Sequence, residues 1–220
     1  MAQALLVAPY TRYGEQNNRS RFATSNKYLE CGRAVGTLIY SMIVSVDGYV
    51  TDEQGNFDWA VPDEEVLDAI NQDMAKVGTH LYGRRMYEMM RGWETDPAIA
   101  APSPHSEDFA GIWRTADKVV YSTTLPEVDT ARTRLERRFD PTEVRRLKAD
   151  AEGDLTIDGP TIAAEALRHG LVDEVRLLVC PVVVGGGLPV FPQFRAQLGL
   201  RDVQRFSNGM VQLYYAVTDR

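Results

Sequence analysis

Thr79-His80-Leu81-Tyr82-Gly83-Arg84-Arg85-Met86-Tyr87-Glu88 and Leu155-Thr156-Ile157-Asp158-Gly159-Pro160-Thr161-Ile162-Ala163 each pass from a short apolar segment, through glycine, into a helical pattern. A helix N-terminus carries unpaired backbone N–H groups and the positive end of the helix dipole, which suits a phosphate. Glycine just ahead of it lets phosphate oxygens come close to the backbone. Two such junctions in one domain can grip the two phosphates of a dinucleotide. Arg84 and Arg85 add bidentate donors for a further phosphate, which points to NADPH rather than NADH. Taken singly, each junction is also an ordinary connector that binds nothing.

The surrounding pattern is that of alternating strands and helices. Thr37 to Val46 is β-branched and largely apolar, as for a strand buried on both faces, and Asp47-Gly48 ends it with a turn. Pro62-Asp63-Glu64-Glu65 opens a helix whose apolar face runs through Val66, Leu67, Ile70, Met74 and Val77. Trp93 to Ser106 holds three prolines without a period and reads as a loop. Lys118 to Tyr121 is a short strand. Arg132 to Arg138 reads as a solvated helix face, or as a guide for an anionic ligand. Asp140-Pro141-Thr142-Glu143 is a strong helix start. A helix from Pro160 to His169 stops at Gly170. The strand from Glu174 to Val184 is broken by Gly185-Gly186-Gly187, a loop over a substrate or a plain interruption. Two last strands, Leu198 to Phe206 and Met210 to Val217, flank the hairpin turn Ser207-Asn208-Gly209. The expected fold is an α/β three-layer sandwich with a mixed, mainly parallel central sheet and an antiparallel C-terminal hairpin. Residues 1–35 are polar and aperiodic and read as a loosely ordered extension, with the domain over 36–220.

Composition narrows the function. The chain has 220 residues, 44% of them hydrophobic and 25% charged, with a net charge of −7. An acidic chain without a basic run is a poor nucleic-acid binder, because phosphate neutralisation dominates that affinity. No apolar run approaches the length of a membrane span, and the N-terminus lacks the pattern of a signal peptide, so the expected compartment is the cytoplasm. Cys31 and Cys180 are far apart and read as free buried thiols. Three scattered histidines offer no metal site: His80 reads as a core group in a strand, His105 as a loop residue and His169 as a complement to a helix end.

In order and spacing, Ser45-Val46-Asp47-Gly48-Tyr49-Val50, Tyr82 to Glu88, Gly170 to Val175 and Pro181 to Gly187 resemble the dihydrofolate-reductase-like superfamily. The likeness is greatest to the reductase domain of the bifunctional deaminase-reductase of riboflavin synthesis, and it covers Thr37 to Val217. It implies an NADPH-dependent oxidoreductase, similar to phosphoribosylaminouracil reductase or dihydrofolate reductase, and a homodimer. By motif, Gly83, Arg84 and Arg85 would bind adenosine-side phosphates. Ser122, Thr123 and Thr124 would form an adenosine-side hydroxyl cluster, and Gly159, Pro160, Thr161 and Ile162 would lie at the pyrophosphate and nicotinamide. Met86 stands where relatives often carry Thr. Asp158 stands where they commonly carry a first glycine, and its carboxylate can cap the helix and repel a pyrophosphate. The Pro-Cys-x-x-Cys half of a deaminase zinc site is missing, so a riboflavin-pathway role would be that of a stand-alone reductase.

Hydride transfer to an imine or carbonyl calls for an oriented acceptor and a proton source, the hydride coming from the cofactor. Asp96, in Glu94-Thr95-Asp96-Pro97, resembles the Asp-Pro of the riboflavin reductases. Asp63 and Glu64 follow Trp59, roughly where folate-reducing relatives carry a tryptophan and then an acid. Asp47 suits a structural turn, and protonation through water is the remaining route. Trp59 can stack a flat heterocycle, whereas Trp93 and Trp113 suit packing. The expected substrate is therefore a small heterocycle, either a ribosylaminopyrimidine or a pterin. A ligand-binding protein without turnover on the same fold, and a reductase using a reduced deazaflavin, are the alternatives.

Overall fold

The computed structural model describes residues 35–191 and 195–218; the extension read over residues 1–35, and Cys31 with it, lies almost entirely outside them. In chain order the elements are β1 (Leu38–Ser45), β2 (Tyr49–Thr51), α1 (Glu64–Met74), β3 (Val77–Gly83), α2 (Arg84–Met90), α3 (Gly92–Thr95), α4 (Pro97–Ala100), α5 (Pro104–Thr115) and β4 (Asp117–Tyr121). They continue with β5 (Thr133–Glu136), α6 (Pro141–Asp150), β6 (Asp154–Asp158), α7 (Pro160–Arg168), β7 (Glu174–Cys180), β8 (Leu188–Pro189), β9 (Leu198–Arg205) and β10 (Val211–Val217). Eight strands form one sheet in the order β5-β4-β3-β6-β1-β7-β10-β9, and β2 pairs with β8 in a small separate sheet. The strands from β5 to β7 are parallel, while β10 runs antiparallel to both β7 and β9.

Two-residue alternation along the strands assigns the two faces. Leu38, Tyr40, Leu81, Val119, Leu155, Ile157 and Val175 pack against α6 and α7 through Val144, Ala163, Ala166 and Leu167. Tyr82 and Val120 point the other way, to Leu67 of α1, Tyr87 of α2 and Phe109 and Trp113 of α5. Leu178 and Cys180 of β7 meet Val66 of α1 on that same face. The three-layer sandwich with a mixed, mainly parallel sheet is thus the architecture.

Several local expectations are corrected. Trp93 to Ser106 is not a loop: it holds α3, α4 and the start of α5. Pro97 and Pro104 each occupy a first helical turn behind a capping residue, Asp96 or Ser103, where proline's missing N–H costs nothing. Arg132 to Arg138 is not a helix face. It contains the edge strand β5, entered through Arg132 with φ of 53°. Val77 belongs to β3 rather than to α1, and β7 ends at Cys180. Cys180 is a free buried thiol.

The Gly170 to Val175 motif has a structural role. The Asp173 carboxylate accepts from the Leu38 N–H at 2.8 Å and from Lys148 Nζ at 2.5 Å, and Lys148 also donates to the Leu171 carbonyl at 2.8 Å. This ties the start of β1 to α6 and to the α7–β7 turn. Removing one partner of a buried pair strands the other charge. Asp173→Ala should therefore lower the unfolding free energy by about 3 kcal/mol, read as a fall in the urea midpoint at unchanged slope.

Candidate functional site

The parallel pairing of β3 with β6 sets Tyr82 opposite Asp158, so both strands end together at the carboxyl edge of the sheet. From there the chain diverges. α2 leaves on one face on the way to β4, and α7 leaves on the other face on the way to β7. Such a divergence leaves a crevice beyond the strand ends, the place where open α/β sheets bind ligands. The two junctions also touch. A Cβ on Gly83 would lie 3.9 Å from Ile162, and one on Gly159 would lie 3.8 Å from Met86 and 3.9 Å from Ile162. Gly159 has φ of 107°, which a side chain would strain; Gly83 is extended, with φ of −76°, and contributes its small size.

Helix capping separates these two junctions from most others. Asp63, Asp96, Ser103 and Asp140 accept from first-turn amides of α1, α4, α5 and α6. Neither Gly83 ahead of α2 nor Gly159 ahead of α7 brings a side-chain cap, and the short α3 also lacks one. At α7 the first residue is Pro160, which has no N–H, and exposed Thr161 follows it. The Thr161 and Ile162 amides of α7 therefore have no side-chain cap, while the Ala163 amide donates to the Gly159 carbonyl at 3.1 Å.

Arg84 reaches across to the loop after β4. Its Nε donates to Glu88 Oε1 at 2.7 Å and its Nη1 to Thr124 Oγ1 at 3.0 Å. Arg85 is exposed beside it. Ser122 is buried, and its Oγ accepts from the Thr124 and Leu125 amides at 3.2 and 2.9 Å, so this hydroxyl shapes its own turn. Thr123 and Thr124 are exposed. Arg137, just after β5, clamps this turn by donating to the carbonyls of Ser122, Leu125 and Pro126.

Asp158 does not cap α7. Its Oδ2 accepts from Thr156 Oγ1 at 2.7 Å, and Thr156 Oγ1 lies 2.8 Å from buried His80 Nδ1. The Thr156 hydroxyl has one proton, so with Asp158 ionised the chain runs from His80 Nδ1–H through Thr156 to the carboxylate. Burial, together with the nearby Lys118 ammonium, holds His80 neutral, down to about 3. Burial pushes Asp158 up to about 7, opposed by its hydrogen bonds from Thr156 and the Ser41 backbone.

The proposed acids lie apart from one another. Asp63 accepts from the Val66 amide at 3.0 Å as the cap of α1, and exposed Glu64 stands 3.8 Å from His105 Nε2. Both are at the carboxyl edge, since α1 starts there. Trp59 packs near them against Val66, Cys180 and Phe206, its Nε1 buried without a hydrogen-bond partner. Asp96 caps α4 and lines a cleft of about 510 Å³ with Trp93, Glu94, Glu107 and Arg114. No residue of either junction lines that cleft. Glu94 accepts from the Ala131 amide, just ahead of β5, which puts this cleft toward the amino edge. Asp47 holds the glycine loop: its carboxylate accepts from the Val184 and Gly185 amides at 3.2 and 2.8 Å, and hydrogen bonds from Ser45 and these amides keep it below the usual carboxylate range.

The RibD C-terminal domain family matches residues 36–212. The chain belongs to that family. It is 30% identical to the uncharacterized protein YyaP of Bacillus subtilis, over 81% of this chain and 93% of that protein. Among solved structures, a putative riboflavin biosynthesis protein from Shewanella sp. PV-4 superposes with a TM-score of 0.65 at 22% identity, covering 83% of this chain and 99% of that one. A Thermotoga maritima diaminohydroxyphosphoribosylaminopyrimidine deaminase/reductase gives 0.58 at 13%, covering 84% of this chain and 57% of that one. These distant structures establish the shared fold, dihydrofolate-reductase-like as the sequence implied.

The folded-state pKa of Asp158 is raised, so its contribution is complete at pH below the unfolded carboxylate value and is lost as pH rises through about 7. Asp158→Asn should thus gain on the wild type between pH 4 and 8, reaching roughly 5 °C in Tm at pH 8 by thermal unfolding; a constant difference across that range would contradict it. Asp47→Ala should speed amide exchange at Val184 and Gly185 by about tenfold while leaving the sheet amides unchanged.

Proposed function

We propose that this protein is an NADPH-dependent reductase of a small heterocyclic substrate. The observation that supports this most is the meeting of two helix starts without side-chain caps at the β3/β6 crevice, with Arg84 and Arg85 on one of them. The residues fit a phosphate-bearing cofactor, because first-turn amides and guanidinium groups are complementary to phosphate oxygens. In this reading the α7 amides after Pro160 hold the pyrophosphate. Arg84 and Arg85 hold the adenosine-side 2′-phosphate, and Thr123 and Thr124 border the adenosine. The bound nicotinamide supplies the hydride; the protein supplies position and a dry setting.

The acid is sought at the same edge. Asp63 and Glu64 head α1 there beside Trp59, whereas Asp96 sits by the remote cleft, so the reading favours the former pair for orienting or protonating the substrate. A homodimer in the cytoplasm completes the proposal by family likeness. No helix among the described residues is long and apolar enough to cross a membrane.

Arg84→Ala/Arg85→Ala should weaken NADPH binding by at least about tenfold, or about 1.4 kcal/mol, and leave NADH binding unchanged, measured by tryptophan fluorescence titration. Equal losses for both cofactors would show that these arginines do not meet the extra phosphate.

A further inference from the structure

Charge along the carboxyl edge is sharply divided. Arg84 and Arg85 mark the β3 end, but residues 38–75 and 177–191 contain no Lys, Arg or His. Those segments supply β1 and β7 and the loops beyond their carboxyl ends. The β1–α1 connection carries Asp47, Asp52, Glu53, Asp58 and Asp63, and Glu64 and Glu65 follow in the first turn of α1. Phosphate sites are ordinarily built from guanidinium or ammonium groups or from an open helix N-terminus. The N-terminus here, that of α1, is already filled by the Asp63 cap and its two following glutamates.

Among the described residues, the cations on the elements flanking these two segments are remote or committed. Arg176 lies within β7, bonded to Glu174 at 2.9 Å and paired with Asp73 at 3.4 Å. His105, on α5, is turned to Glu64 and Asp68. Arg205 ends β9, three strands from β1, or about 14 Å at the usual strand spacing. Apolar groups fill the rest of the rim. Val46 and Val183 are 61% and 69% exposed, and the Val46 amide donates to the Val182 carbonyl, which puts the two loop starts together. Trp59 packs at this end of the sheet on the cluster of Val66, Cys180 and Phe206.

A dinucleotide with its 2′-phosphate at β3 and its pyrophosphate at β6 has its reactive end on the β1 side, because the strands run in the order β4-β3-β6-β1-β7. We propose that the substrate received there is an uncharged or cationic heterocycle carrying no phosphate group, held by the Trp59 and valine rim among the carboxylates of the β1–α1 connection. A phosphoribosyl substrate would bring a dianion to an acidic rim at which the described residues offer no Lys, Arg or His side chain, so like charges repel and desolvation goes unrepaid. This inference deepens the reductase reading and rests on it.

Calorimetry with ribose 5-phosphate as the probe tests it on protein first saturated with NADP⁺. The saturation step decides the cofactor reading by itself: without NADP⁺ binding, the reductase proposal fails before the substrate is addressed. Given saturation, the wild type should show no binding up to about 20 mM ribose 5-phosphate, and Val183→Lys should create a site with a Kd of a few mM or less. A wild-type Kd below about 1 mM would overturn the proposal, whichever cation supplied the site. Failure of Val183→Lys to gain binding would overturn the placement of the substrate at this rim.

Discussion

The hydrogen-bonded pairing of β3 with β6 is the constraint on which the functional geometry depends. These strands are separated by more than seventy positions in the chain, and between them lie α2, the helices that follow it, β4, β5 and α6. Their register brings Gly83 and Gly159 to one edge, from which α2 and α7 depart on opposite faces. A shift of one residue would turn Tyr82 and Asp158 to the other face and bury the mouths in the sandwich. The sandwich resists such a shift, because Leu81, Leu155 and Ile157 are fully buried against α6 and α7 on one face, and Tyr82 is packed under α2 and α5 on the other.

Polar groups inside the sandwich follow the same alternation. His80 and Lys118 are neighbours across β3 and β4, on the face covered by α5. Lys118 donates to the Trp113 carbonyl at 3.0 Å and lies 4.2 Å from the Trp113 ring centroid, while Trp113 Nε1 donates to Tyr82 Oη at 3.1 Å. A buried polar group is tolerated when it is hydrogen-bonded, and this cluster meets that condition. The His80–Thr156–Asp158 chain extends it to the end of β6, where burial opposes the ionisation of the Asp158 carboxyl.

Electrostatics divides the carboxyl edge into two territories. On the β3 side, guanidinium groups and uncapped amides favour anions, and Glu88 and Thr124 orient Arg84 across the gap to the β4 loop. On the β1 side, acids already occupy the available donors: Asp63 takes the α1 amide, Asp47 takes the glycine-loop amides, and Glu65 accepts from the Ser207 amide at 3.0 Å. The glycine loop is held rather than loose. Gly187, at φ of 134°, passes so close to Thr51 and Asp52 that no side chain fits there. Together with the β2–β8 pairing, these contacts fasten the loops that border the proposed substrate position.

Local chemistry was legible in the sequence wherever neighbouring residues determine the structure. The two glycine junctions, the Asp140-Pro141 helix start, the Gly170 stop and the Ser207-Asn208-Gly209 hairpin follow from backbone sterics and capping, which act over a few residues. The same rules, applied to Asp96-Pro97 and Ser103-Pro104, would have revealed the helical turns that counting prolines concealed. Other features required distant partners. β5 is a strand because β4 offers it an edge, although Arg132 to Arg138 alone has no strand alternation of apolar residues. Asp158 reads locally as a helix cap, yet Thr156 and the neighbouring β1 backbone claim it first. Asp96 and Asp63 resemble each other in sequence as acids beside prolines, and only the path of the sheet separates them, one toward each edge. Propensity and capping are short-range, so the chain alone determined its elements and their chemistry; strand order is a packing outcome, so the tertiary structure decided which of those chemistries meet.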